Sequence, residues 1–277
     1  MISLDNISFS YQKNGRKAID SITCGLEPGI YLLAGENGAG KTTLLHLIAG
    51  VLSPQSGNCT IDGRASSSDL PSDKRRIFLL EENIQFPGKS INEFASRHSV
   101  FYPNFSQETF ISNLRAFGMT GEEPLKTLSL GNRKKAQLAY ALALGVEILM
   151  LDEPMNALDI QSRAILRNLI GTTPVKDQTI IVATHTISDL ETVFDGCIMI
   201  SRSKLLYAGS AEEITRRLAF RVNRMPDPDA LYSEIQIGRT LGIFKSEKDE
   251  DTAIDWRILY NALHSPSRGK VIESLNN

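Results

Sequence analysis

The chain has 277 residues, 42% hydrophobic and 22% charged, a balance that suits one large α/β domain with room for a small appendage and excludes wholesale disorder. With 30 Lys and Arg against 32 Asp and Glu the net charge is −2, so no global basic field points to a nucleic-acid partner, and none is expected. The start carries no charged-then-apolar leader, the most apolar stretch, Leu138 to Leu151, is broken by Glu147 and too short for a bilayer, and Cys24, Cys59 and Cys197 lack metal or disulfide spacing. These features predict a protein of the reducing cytoplasm, with any membrane role exercised through a partner.

In chain order, Ile2-Ser3-Leu4 and Ile7-Ser8-Phe9 alternate apolar and polar as short strands, Lys13-Asn14-Gly15-Arg16 reads as a turn, and Ala18 to Leu26 is a second extended run. Gly29 to Ala34 is continuously apolar, as a buried parallel strand is; a glycine-rich turn follows, then helical composition from Lys41 to Ala49. Residues 82–145 read as a helical insert: Ser90 caps a helix beginning Ile91-Asn92-Glu93-Phe94, and further helices fit Ser106 to Phe117 and Asn132 to Leu144. Buried strands return at Ile148 to Leu151 and Thr179 to Ala183, with a helix from Ile160 to Ile170 between them, which predicts a mostly parallel α/β sheet. Beyond Arg217 the pattern blurs: Pro226-Asp227-Pro228 is a breaker, Lys245 to Asp255 is polar and acidic, and Ser265 to Gly269 is loop-like.

Gly35-Glu36-Asn37-Gly38-Ala39-Gly40-Lys41-Thr42 fits G-x-x-x-x-G-K-[ST] and sits between an apolar strand and a helix, the context that motif requires. Its glycines let backbone N–H groups turn inward around phosphate oxygens, and the helix N-terminus adds partial positive charge. Lys41 would reach the β/γ-phosphates and the Thr42 hydroxyl would ligate Mg²⁺. Ile148-Leu149-Met150-Leu151 delivers Asp152 at a strand's carboxyl end, where it would hold Mg²⁺, and the adjacent Glu153 could polarise an attacking water. Together they indicate nucleoside-triphosphate hydrolysis.

Leu128-Ser129-Leu130-Gly131-Asn132 before the Asp152 strand, Met155-Asn156-Ala157-Leu158-Asp159 after it, and His185 at the end of the Thr179 strand resemble, in that order, the ATP-binding-cassette (ABC) ATPase family. The resemblance covers about residues 1–215. It implies that Gly35 to Thr43 bind the ATP phosphates and that Tyr11 takes the place of an adenine-stacking aromatic. It further implies that Ser129 and Gly131 form the signature that meets the γ-phosphate held by a second copy, that Asp159 links the two sites, and that His185 is the switch histidine. The signature departs from Leu-Ser-Gly-Gly-Gln at Leu130 and Asn132. Where the family has its Q-loop glutamine, after Ile77-Phe78-Leu79-Leu80, Glu81 stands as a metal-side oxygen donor.

The expected architecture is therefore α/β: a P-loop NTPase ABC core over residues 1–216, with an antiparallel β-subdomain and a helical subdomain at about 82–145, and a C-terminal extension, 217–277, without a legible role. The expected function is that of an ATP-hydrolysing subunit that uses Mg²⁺, works as a dimer of cassettes and drives a separate membrane permease from the inner face of the membrane, with Glu81 and the Ser-Leu-Gly-Asn signature leaning towards export. Non-transport relatives in translation or iron–sulfur assembly are the alternative. A DNA-repair ATPase would need sustained heptads, and a GTPase an Asn-Lys-x-Asp motif; the sequence has neither.

Overall fold

The computed structural model describes residues 1–277 except 14, 69, 84, 174–176, 237, 248–251 and 277. The chain opens with β1 (Ile2–Phe9), β2 (Ile19–Leu26), β3 (Gly29–Ala34), α1 (Lys41–Ile48), β4 (Ser56–Ile61), β5 (Arg64–Ala65), the single turn α2 (Pro71–Lys74) and β6 (Ile77–Leu80). Three helices follow, α3 (Ile91–His98), α4 (Gln107–Ala116) and α5 (Leu130–Ala141), then β7 (Ile148–Asp152), α6 (Ile160–Gly171) and β8 (Thr179–Thr184). The last part holds β9 (Gly196–Ser201), β10 (Lys204–Ser210), α7 (Ala211–Arg217), β11 (Leu218–Asn223), β12 (Tyr232–Gln236), β13 (Arg239–Lys245), α8 (Trp256–His264) and α9 (Arg268–Asn276).

The central sheet has the order β10-β9-β3-β8-β7-β6. β9, β3, β8, β7 and β6 are parallel, and β10 closes the edge as an antiparallel hairpin partner of β9. Both faces are covered, which is why the central strands read as unbroken apolar runs. Ile30 and Leu32 of β3, Leu149 and Leu151 of β7, and Ile180 and Val182 of β8 enter one core, with the helices α3 to α6. Their alternates Tyr31, Leu33, Ile148, Met150, Ile181 and Ala183 enter a second core, closed by α1 and the antiparallel sheet β2-β1-β4-β5. The two expected N-terminal strands are one strand: Asn6 adopts φ 49° and the register against β4 shifts between Asp5 and Ser8, so a bulge spans the break in alternation.

Ser90 caps α3, accepting from Glu93 N, as the sequence predicts, and Ser106, expected inside the next helix, caps α4 by accepting from Thr109 N. The third helix starts two residues earlier than expected, because Ser129 caps it by accepting from Asn132 N, and it ends at Ala141 before a turn closed by Gly145 at φ 60°. The C-terminal segment is neither an unstructured tail nor a detached appendage. Its strands form a sheet, β11-β13-β12, and Trp256, Ile258, Leu259, Ala262 and Leu263 of α8 lie in the same core as β3 and β8. Part of the polar stretch from Lys245 to Asp255 lies outside the described residues.

Candidate functional site

Because β3, β8 and β7 are adjacent and parallel, their carboxyl ends bring three loops together at one edge of the sheet, where open α/β folds bind ligands. The first loop is Gly35 to Gly40. Gly40 caps α1 at φ 108°, and a Cβ there would sit 2.4 Å from the Ala18 carbonyl oxygen; at Gly35 a Cβ would meet Ile200 O at 2.7 Å. Only glycine fits at either place, and the turn aims the start of α1 at the loop. Lys41 is 7% exposed and donates from Nζ to Gly35 O at 2.8 Å, so its ammonium folds back over the loop.

The second loop follows β7. Asp152 is buried and accepts from the Thr42 hydroxyl at 2.6 Å. Burial raises the Asp152 pKa and the Glu153 charge adds to it, while the Thr42 hydroxyl and Lys41 pull the other way. The chain then turns sharply: Glu153 has φ 45°, a region costly for a non-glycine residue, and its amide is tied to Ala183 O at 2.8 Å. That turn puts Glu153 Oε1 3.7 Å from Lys41 Nζ, while Glu153 Oε2 is buried without a hydrogen-bond partner. From the third loop, after β8, His185 Nδ1 reaches Glu153 Oε1 at 2.9 Å. The structure thus brings Lys41, Thr42, Asp152, Glu153 and His185 into one cluster.

This cluster fits Mg²⁺. Thr42 Oγ1 and Asp152 Oδ2 are hard oxygen donors side by side, and the unpartnered Glu153 oxygen leaves polar room next to them. Among the described residues no group of three or more His, Cys, Asp or Glu could cage a metal, the pattern expected where substrate phosphates complete the coordination.

Other expected residues stand further out. Tyr11 is 66% exposed and shares a hydrogen bond with Thr43 Oγ1 at 3.1 Å, beside the loop. Glu36 turns its side chain away from the phosphate side: its Oε1 accepts from Ser201 Oγ and Arg202 N, both at 2.9 Å, and its Oε2 is 3.5 Å from His264 Nε2 on α8. Only the Glu36 backbone can face a nucleotide. Asn37 and Gly38 are exposed and Ala39 is buried within the turn.

Ser129, Gly131 and Asp159 form a second group. Gly131 lies under the turn after Glu153, where a Cβ would meet Ala157 O at 2.8 Å. Asp159 caps α6 by accepting from Ser162 N at 2.7 Å and pairs with Lys135 Nζ at 3.3 Å. Leu130 and Ile160, beside these residues, are exposed large apolar side chains.

Glu81 accepts from His46 Nε2 at 2.7 Å, one helical turn beyond Thr42. The next residue, Glu82, accepts from Asn156 Nδ2 at 2.6 Å and adds, after Glu153, to the raised Asp152 pKa. Glu81 thus meets α1 through His46, while Glu82 is held by Asn156. Sequence reasoning passed over Glu82 and Asn156; two acids in succession at the end of β6 were the available signal. It also passed over His46, whose i, i+4 spacing from Thr42 puts both on one helix face.

Comparison with known proteins decides the family. The ABC transporter family profile matches residues 19–156. The ABC transporter ATP-binding protein NatA of Bacillus subtilis is 30% identical over 233 residues, 77% of this chain and 91% of that protein. The chain belongs to the ABC transporter ATP-binding family. An uncharacterized ABC transporter ATP-binding protein of Methanocaldococcus jannaschii is 28% identical over 251 residues, 89% of this chain and 91% of the relative. The fold agrees: an ATP-binding subunit of an ABC transporter superposes with TM-score 0.68 at 20% identity, over 78% of this chain and 92% of that one. A dimeric ATP-binding cassette in a post-hydrolysis state with ADP and Pi superposes with TM-score 0.64 at 19% identity, over 76% and 98%. The protein is an ATP-binding subunit of the ABC transporter type. No described helix is long and apolar enough to cross a membrane.

Proposed function

We propose that the cassette hydrolyses MgATP between two copies of itself and so powers a separate membrane permease, to which it docks on the cytoplasmic side. The observation that carries this reading is the Lys41–Glu153–His185 contact set beside the Thr42–Asp152 pair. In the proposed assignment the Gly35–Thr43 backbone and Lys41 hold the phosphates, and Thr42 and Asp152 hold Mg²⁺, which supplies charge neutralisation on the β- and γ-oxygens. Glu153 accepts the proton of the attacking water at its free Oε2, while His185 holds Oε1 and senses the γ-phosphate. Tyr11 flanks the base. Ser129 and Gly131, with the exposed Leu130, face the nucleotide of the second copy, and Asp159 lies on the same face.

Residues 1–216 are proposed as the ATPase unit and 217–277 as an extension that braces it. Support for that bracing is the packing of α8 on the Ile187–Asp189 turn just after His185, and the burial of Tyr260, which together with the Glu36 carboxylate pushes its phenol up to about 12. The export direction expected from sequence has no counterpart among the relatives' names, which include a thiamine import protein of Shigella boydii and a manganese transport system protein of Synechocystis. The proposal carries no direction.

The test is to solubilise native membranes in mild detergent, capture the cassette and identify what accompanies it. A polytopic membrane protein in stoichiometric yield supports the reading; ribosomal or iron–sulfur proteins in its place would overturn it.

A further inference from the structure

The Glu36 carboxylate meets a different element at each oxygen. Oε1 accepts from Ser201 Oγ and Arg202 N, both at 2.9 Å, and ties the phosphate loop to the β9–β10 turn. Oε2 is buried with no hydrogen-bond partner, and His264 Nε2, on the last turn of α8, stands 3.5 Å from it. The other ring nitrogen, His264 Nδ1, lies 2.8 Å from Tyr260 O, one turn back along α8. Both neighbours of the ring are oxygens that only accept. A neutral imidazole carries one N–H, so it serves one of them and turns a lone pair on the other; the imidazolium serves both. The C-terminal end of α8 favours that cation as well. From the β9–β10 turn, Arg202 meets Glu36 through its backbone amide and Lys204 is turned towards Asp20. On α8, Arg257 pairs with Glu234 at 3.0 Å, and the Tyr260 phenol beside Glu36, pushed up to about 12, stays neutral at ordinary pH. From α9, Arg268, Lys270 and Glu273 make no ion pair with His264 among the described residues.

We propose that His264 is a positioning residue for the phosphate loop: as an imidazolium it bridges Glu36 and α8, and nucleotide binding tightens as pH falls through the histidine range. The proposal rests on the reading of Gly35 to Thr43 as the nucleotide's phosphate site. Glu36 O accepts from Ala39 N at 3.0 Å, so whatever fixes Glu36 also fixes the turn that displays the loop's N–H groups. The imidazolium further offsets a negative charge next to a site for anions. By linkage a bound nucleotide favours the protonated ring, so the added affinity is present in acid and lost as pH rises. Because α8 also packs on the Ile187–Asp189 turn after His185, the bridge seats the extension against both loops.

ADP binding to the full-length chain, measured by calorimetry between about pH 5.5 and about pH 8 without divalent ions, tests this without turnover. ADP lacks the γ-phosphate that His185 is assigned to sense. The difference between parent and variant profiles is what is read, since the titration of ADP and of the other histidines cancels in it. Parental affinity is expected to fall about two- to fivefold more than that of His264→Gln across the range, the scale of a partly exposed ion pair. His264→Lys, a cation throughout, should keep the acid-side affinity at both ends, and Glu36→Gln should flatten the step because the acceptor's charge is gone. Profiles of one shape for parent and His264→Gln overturn the proposal, as does a parental step in His264→Lys; if His264→Gln does not fold, an unchanged step in Glu36→Gln overturns it. Lys41→Ala separates the two readings. If it loses ADP binding while His264→Gln keeps the parental step, only the role of His264 falls. If it binds ADP as the parent does, the phosphate-loop assignment is wrong and the proposal falls with it.

Discussion

Replacing Glu153 with glutamine keeps the side chain's shape and removes its basicity. Glu153 Oε1 accepts from His185 Nδ1 at 2.9 Å and lies 3.7 Å from Lys41 Nζ, while Oε2 is buried and unpartnered. A glutamine oxygen can take over the contact to His185, so the side chain keeps its place. The group at the Oε2 position becomes an amide donor that cannot take a proton from water. Loss of a positioned general base costs about 10²–10⁴-fold in rate. At about 1.36 kcal/mol per tenfold, that is about 2.7–5.4 kcal/mol on the barrier. Binding should suffer far less, because Lys41 keeps its bond to Gly35 O at 2.8 Å and gains the phosphates as anionic partners. An affinity change below about tenfold, or about 1.4 kcal/mol, is expected. Nucleotide affinity by calorimetry and single-turnover hydrolysis of radiolabelled ATP, on one preparation of Glu153→Gln, measure the two quantities. The same variant with MgATP should elute from a sizing column as a dimer, since the bound nucleotide is retained and binding energy that depends on ATP shifts association only in its presence. Hydrolysis at the parental rate with ATP demonstrably bound would remove Glu153 from the chemistry and leave its φ of 45° without a functional account.

Gly40→Ala should lose nucleotide binding and stability together, because the new Cβ would stand 2.4 Å from Ala18 O at φ 108°; backbone strain of this kind costs about 1–3 kcal/mol, and denaturant midpoints with and without ATP report it. Trp256→Ala removes a side chain 2% exposed, set edge-on to Phe194 at 6.2 Å and donating to Glu191 O at 3.1 Å; about 3–5 kcal/mol of stability should go, in one unfolding transition shared with the sheet. A separate early transition in that variant would show the extension to be an independent unit. The Ser162 amide and hydroxyl and the Lys135 ammonium lower the Asp159 pKa to about 2, so its contribution to stability is complete above the ordinary carboxylate range and is lost as pH falls through that value. Parent and Asp159→Asn should therefore differ in melting temperature at neutral pH and converge towards pH 2; a gap that widens in acid would contradict the sign.

The parts legible in the sequence were those whose chemistry is local. A glycine-rich turn between an apolar strand and a helix needs little beyond its own residues to form a phosphate loop, and the serine cap of α3 satisfies an amide three residues away. Continuous apolar runs announced β3, β7 and β8 because both faces of that sheet are covered. The start of α5 was read late because Gly131, within its first turn, is a poor helix former. The close approach of Ala157 O, which requires glycine there, is a contact between segments that sequence spacing does not show.

The extension was illegible for the opposite reason. Its breakers and acidic run masked an amphipathic α8 whose apolar face, around Trp256 and Leu259, makes sense only against the core of the ATPase sheet. The partners of the two acids after β6 were likewise tertiary: one residue of offset takes a carboxylate to His46 on α1 or to Asn156 after β7. By itself the sequence determined the family of chemistry, since phosphate loop, acidic strand end and histidine are each written in consecutive residues. The tertiary structure alone decided which charges share one pocket. Lys41, Glu153 and His185 come from three separate segments, and a buried charge is stabilised or penalised by whatever the fold places within a few ångströms of it.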